Sequence, residues 1–135
     1  MSRSEPLSIL IVDDNKNNLL TLHGLIDEYI DNVSVLEADS GVTALNVLMR
    51  REVDLIILDI QMPEMDGFET AEIIRSRKKT QRIPIVFLTA AYKSEEFKRR
   101  GYAIGAADYL TKPIDTPQLI SKINTYLRFI QQEHQ

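Results

Sequence analysis

The chain contains no cysteine. That excludes a disulfide framework, a thiolate zinc site and a cysteine nucleophile, and it fits a reducing compartment. No apolar stretch approaches the roughly 18 residues of a membrane span. The short polar stretch from Met1 to Ser8 lacks the apolar core of a signal peptide, so the expected location is the cytoplasm. A Gly-rich phosphate loop followed by Lys-Ser or Lys-Thr is missing too, which leaves nucleotide hydrolysis without support. Internal repeats, low-complexity tracts and linkers rich in Gly, Ser or Pro are absent. Positive charge is in deficit, with a formal net charge of -4. This argues against a nucleic-acid binder held by phosphate contacts alone. The basic stretch Arg75, Arg77, Lys78, Lys79 and Arg82 reads as a solvated face. Neither membrane nor direct nucleic-acid contact is expected.

What the sequence does have is enough apolar content for a core, 44% against 27% charged over 135 residues, which fits one domain. Strand and helix signals alternate along it. The first strand spans about Ser8 to Val12, and Leu19, Leu22, Leu25, Ile26 and Tyr29 are spaced for one helical face. Val33 to Ala38 is a more mixed strand, expected nearer an edge. Ser40 is a candidate N-cap for a helix that turns Ala44, Leu45 and Leu48 inward. The third strand is Asp54 to Leu58. Pro63 then forbids a helix running straight on, and Asp66 caps a helix from Gly67 to about Arg77 with Phe68, Ala71 and Ile74 inside. Lys78 to Arg82 reads as a surface connection. Ile83-Pro84 opens the fourth strand, where proline is tolerated at the first residue. Ser94 to Tyr102 is a short charged helix anchored by Phe97, and Ala106 to Leu110 is the fifth strand, ended by Pro113. Asp115 or Thr116 caps a last helix, with Pro117 near its first turn and an apolar stripe of Leu119, Ile120, Ile123, Tyr126, Leu127 and Ile130. Repeats of this kind give an α/β fold, a parallel sheet with right-handed crossovers.

Polar residues stand where the apolar runs stop. Asp13-Asp14 follow Ile9 to Val12, Asp59 follows Leu55 to Leu58, Thr89 follows Ile85 to Leu88, and Lys112 comes shortly after Tyr109-Leu110. Continuous apolar runs look like strands buried on both faces, and ligands bind at the carboxyl edge of such a sheet. Three carboxylates, a hydroxyl and an ammonium should therefore converge. Asp13 or Asp14 alone would serve as a helix cap. Three ionised carboxylates together repel one another unless a cation joins them. Carboxylates, waters and a backbone carbonyl suit magnesium. Asp59 is the best nucleophile candidate, forming an aspartyl phosphate. Phosphoryl transfer needs positioning and charge neutralisation, with Lys112 as a point charge and Thr89 as a hydroxyl donor. A haloacid-dehalogenase-type hydrolase would need a second Asp two residues past the first, where this chain has Gln61. His23 and His134 lie outside these motifs and read as surface residues.

The chain resembles the receiver domains of two-component response regulators (CheY-like) in four segments: Ile9 to Asp14, Leu58 to Gly67, Leu88-Thr89-Ala90, and Gly105 to Pro113. The resemblance covers residues 7–130, with 1–6 as a flexible N-terminus and 131–135 as a helix extension or the start of a linker. It implies a flavodoxin-like, doubly wound, five-stranded parallel sheet of order 2-1-3-4-5 with five helices. It implies that Asp59 accepts a phosphoryl group from a partner histidine, on a sensor histidine kinase or a histidine phosphotransfer protein. Magnesium, with manganese as a substitute, would be held by Asp14, Asp59 and the backbone carbonyl of Gln61, and by Asp13 through a water. Thr89 and Tyr109 would form a switch that alters the face of the fourth helix, fifth strand and last helix, where a homodimer is expected. The side chains of Gln61, Ala90 and Ala91, with Pro113, would line the site. The module would act on its own Asp59 and have no separate substrate. Two outputs stay open. The last helix reads as continuing past what the domain needs, with Phe129 and Ile130 extending its stripe outward. That favours a longer regulator with a downstream output domain; the other reading is a stand-alone receiver that docks on a partner.

Overall fold

In a computed structural model, which describes residues 6–90 and 95–133, the strand and helix signals become ten elements. They are β1 (Leu7–Val12), α1 (Lys16–Tyr29), β2 (Val33–Ala38), α2 (Gly41–Arg50), β3 (Leu55–Asp59), α3 (Gly67–Ser76), β4 (Ile85–Thr89), α4 (Glu95–Ile104), β5 (Asp108–Thr111) and α5 (Thr116–Glu133). Every strand pair is parallel, and the order is β2-β1-β3-β4-β5, as expected. Ala91, Ser94, His134 and residues 1–5 lie outside the described residues. Among the described residues no helix is long and apolar enough to cross a membrane.

The apolar runs are continuous because both sheet faces are covered, as parallel sheets require. Ile9, Ile11, Leu55, Ile57, Val86 and Leu88 pack on one side against Leu19, Leu22 and Ile26 of α1 and Leu119, Ile123, Leu127 and Ile130 of α5. The alternate residues Leu10, Val12, Ile56, Leu58, Ile85 and Phe87 pack on the other against Leu45 and Leu48 of α2 and Phe68, Ala71 and Ile74 of α3. Strand period and helix period thus interlock across two cores. β2 lies at the edge and is only partly buried.

Local chemistry sets the element boundaries. Asn15, rather than either aspartate, caps α1, its side chain accepting from the amides of Asn17 and Asn18. Ser40 caps α2, and Asp66 with Glu69 makes a reciprocal capping box on α3. Gly105, at φ 97°, ends α4. Its amide donates to Tyr102 and that of Ala106 to Gly101, the paired bonds of a Schellman cap. The Lys112-Pro113 peptide is cis.

Several sequence expectations shift. Tyr29 is half exposed, because the buried stripe of α1 continues at the four-residue step from Ile26 to Ile30. β4 starts at Ile85 and β5 at Asp108, later than their apolar signals. α4 runs on to Ile104. Ile130 packs into the core instead of extending outward, while Phe129 is exposed. The basic stretch is not one solvated face. The Arg75 guanidinium is drawn in to donate to the carbonyls of Ile104, Gln81, Ile83 and Gly105. Thr80 is buried, its hydroxyl donating to Ile74.

Candidate functional site

Parallel register brings the ends of the strands to one edge. Val12 pairs with Leu58, Asp59 with Leu88, and Thr89 with Thr111. Asp13, Asp59, Thr89 and Lys112 therefore line up at the carboxyl edge of neighbouring strands, where an open α/β sheet places its ligand. The loop after β3 folds back so closely that the α3 start presses on that strand end. The Gly67 amide donates to Ile60 at 2.8 Å. A Cβ on Gly67 would collide with the Asp59 carbonyl oxygen and sit 2.7 Å from the Ile60 Cα, so this position requires glycine.

Asp13 and Asp59 are buried, Asp14 is exposed, and each offers an oxygen within 4.8 Å of the others. Lys112 is the cation among them, its Nζ 3.0 Å from Asp13 Oδ2 and 3.3 Å from Asp59 Oδ2. Asp13 also accepts from the Asn15 amide on Oδ1 and the Asn18 side-chain amide on Oδ2. Asp59 Oδ1 accepts from the Gln61 amide at 3.3 Å. Burial first, and the Asp13 charge second, push the Asp59 carboxyl up to about 6, against the pull of Lys112 and the Gln61 amide. Burial alone would lower the Lys112 ammonium. Its hydrogen bonds to Asp13 and Asp59 and their charges together outweigh that and raise it. Among the described residues one lysine meets three clustered carboxylates, which leaves them short of positive charge. A hard divalent cation, with its preference for oxygen, fits this donor set.

The Thr89 hydroxyl oxygen is buried and has no hydrogen-bond partner among the described residues. A native buried polar atom of this kind calls for an explanation, and a ligand arriving at the strand ends supplies one. Tyr109 is half-buried on β5. Its hydroxyl donates to Phe97 and Lys98 in α4, at 3.1 and 3.4 Å, and its ring lies 5.7 Å from Phe87 and 5.6 Å from Tyr102. A Cβ on Gly101 would overlap that hydroxyl. The side chains of Gln61, Ala90 and Pro113 are exposed beside the site. Asn15 and Asn18 were not among the expected site residues. Their one signal was an Asn at the position before the α1 stripe, with a second three residues on. His23 lies at the surface, as expected, and is bonded there: Nδ1 lies 2.6 Å from Glu37 on β2 and Nε2 3.3 Å from Asp27.

This fold and its acidic carboxyl edge define a flavodoxin-like α/β module. Residues 9–124 match the family model of the response regulator receiver domain. The chain belongs to that family, whose general chemistry is phosphoryl transfer at an aspartate. It is 37% identical over 121 residues to a probable cyclic di-GMP phosphodiesterase of Vibrio cholerae, covering 90% of this chain and 26% of that protein. It is 34% identical to the polar-differentiation response regulator DivK of Brucella ovis, covering 89% of this chain and 95% of DivK. Several other curated relatives are longer, and the chain spans 12% to 50% of their length. Among solved structures, the receiver domain of sensor histidine kinase PA1611 from Pseudomonas aeruginosa superposes with a TM-score of 0.77 at 26% identity. That match covers 93% of this chain and 98% of that one, and that protein has a magnesium ion coordinated in its active site cleft.

Proposed function

We propose that this receiver domain takes a phosphoryl group onto Asp59 from a phosphohistidine of a sensor histidine kinase or histidine phosphotransfer protein. The observation that carries the reading is Asp59 itself: a buried carboxylate at the end of β3, 3.3 Å from the Lys112 ammonium inside an acidic cluster. An Asp59 carboxylate oxygen attacks phosphorus, and the new O–P bond forms as the P–N bond breaks. The imidazole leaves with the electron pair and takes up a proton from solvent. Lys112 turns from the carboxylates to a phosphoryl oxygen, and the unpartnered Thr89 hydroxyl donates to another. Loss of the phosphoryl group is a separate hydrolysis: water attacks phosphorus, the O–P bond to Asp59 breaks, the carboxylate leaves with the electron pair, and inorganic phosphate is released. The domain works on its own side chain and turns over no separate substrate.

Asp13, Asp14 and Asp59, with the Gln61 carbonyl, would hold magnesium, or manganese in its place. When bound, the ion supplies charge neutralisation for the carboxylates and phosphoryl oxygens. Movement of Thr89 toward the phosphoryl group frees space for Tyr109, whose hydroxyl ties β5 to α4. The readout is then the face of α4, β5 and α5. A two-state element biased by new charge is the physical logic of such a switch. The longer phosphodiesterase relative supports an attached output domain; the length match to DivK supports docking on a separate partner.

Incubation with a small acyl phosphate and magnesium should add one phosphoryl group, read by intact mass. Asp59→Asn should add none. Equal uptake by that variant would overturn the assignment.

A further inference from the structure

We propose that Asn18 is a positioning residue that frees Lys112 for the phosphoryl group, an inference that rests on the phosphoacceptor role of Asp59. Asp13 is almost fully buried, and its Oδ2 accepts two hydrogen bonds, from Lys112 at 3.0 Å and from the Asn18 amide at 3.2 Å. Its Oδ1 accepts from the Asn15 amide at 2.9 Å. Lys112 also reaches Asp59, so the ammonium is shared between two carboxylates. It has to leave at least one of them to meet a phosphoryl oxygen on Asp59. A buried carboxylate oxygen abandoned by its only donor is costly. Asn18 keeps Asp13 Oδ2 bonded when the lysine leaves.

The chemistry of the side chain suits that task. An amide donates without adding charge, so it does not repel a cation in the acidic cluster as a second lysine would. Its place is fixed by the helix start. Asn18 is the third residue of α1, and its backbone amide is bound to the Asn15 side chain at 3.1 Å. Side chains in a first turn lean back toward the N-terminus, which brings this one to Asp13. In an ordinary capping box the third residue is a Glu or Gln that accepts from the cap amide. Here Asp13 accepts from that amide instead, and the third residue is left to donate.

The test uses the full chain with acetyl phosphate. In that reaction the Asp59 O–P bond forms as the P–O bond to acetate breaks, and acetate leaves with the electron pair. Asn18 is exposed, so Asn18→Leu removes the donor with little demand on the core. At saturating magnesium its phosphorylation rate should fall about tenfold, while magnesium affinity by calorimetry stays within about threefold of wild type. In a Lys112→Ala background, the same substitution should change the rate less than about twofold. A rate for Asn18→Leu equal to wild type overturns the inference. So does a parallel loss of rate and magnesium affinity, or an undiminished loss without Lys112. If wild type takes up no phosphate, it is the phosphoacceptor reading that fails.

Discussion

Asp59 carries both the proposed chemistry and an electrostatic cost. Burial and the neighbouring Asp13 raise its carboxyl to about 6 from the ordinary 3.8. A folded value above the unfolded one means that the native state holds the extra proton between them. The stabilisation from that proton is fully present below about pH 4 and is lost as pH rises through about 6. At neutral pH the ionised group works against the fold, by on the order of 1–3 kcal/mol for a shift of about two units. Asp59→Asn should therefore melt several degrees above wild type at pH 7.5 in EDTA. The gap should narrow as the pH is lowered toward 4.5, and magnesium should narrow it at pH 7.5 by raising wild type alone. Thermal melts of both proteins across that range check the sign. A wild type that melts higher than the variant at pH 7.5 in EDTA would show that Lys112 over-neutralises the cluster. This residue was legible in the sequence because an apolar run buried on both faces has to stop at its first charge. The partners of Asp13 were not, since Asn15 and Asn18 reach it only after α1 has formed and bent its first turn back over the strand end.

At the level of elements, the firmest clamp is one that composition disguised. Arg75 sits in a basic stretch, yet its guanidinium donates to four backbone carbonyls, at 2.7 to 3.2 Å, and among the described residues pairs with no carboxylate. Burial lowers its pKa. Two of the acceptors, Ile104 and Gly105, are the end of α4; the other two belong to the connection into β4. Truncation would strip one end of α4 and that connection of their shared donor. Arg75→Ala should cost about 2–4 kcal/mol in urea unfolding, with faster amide exchange at Gly105 and Ala106. Arg82→Ala, an exposed member of the same stretch, should stay within about 0.5 kcal/mol. Equal costs would mean that the four carbonyls find water at no penalty. Sequence pattern could not separate the two arginines, because the acceptors lie up to 30 residues away. Period and capping residues, by contrast, act locally. That is why the caps at Ser40 and Asp66 and the strands β1 and β3 were readable, while the late starts of β4 and β5 depended on pairing with neighbours. Tyr29 failed for a related reason: a three- or four-residue step from Ile26 is equally helical, and only packing selects Ile30.

For the whole molecule, the question is how an event at the strand ends reaches a partner. Tyr109 links the two places. Its hydroxyl holds the carbonyls of Phe97 and Lys98 near the start of α4, and Gly101 packs directly against it. The other end of α4 is held by Arg75. Rotation of Tyr109 would release the first end and leave the second fixed, so α4 would pivot rather than dissociate. The neighbouring surface already offers apolar contact. Tyr102 on α4 and Phe129 on α5 are more than half exposed, and Tyr102 stacks edge-on against Tyr109. Lone exposed aromatics of this sort are ordinary on a monomer. A pivot that brings them into one patch would favour a second copy, since aromatic anchors dominate such contacts. With beryllofluoride as phosphoryl mimic and magnesium present, sedimentation velocity should show a concentration-dependent shift toward dimer. Tyr102→Ser should weaken the shift by about tenfold in dissociation constant, as expected for loss of one aromatic anchor. Tyr109→Phe removes the tie to α4 before any phosphoryl group arrives, so its association should depend less on the mimic than that of wild type. A sedimentation profile unchanged by the mimic would remove self-association as the output. A face that alters without dimerising would then be read by a partner of different sequence.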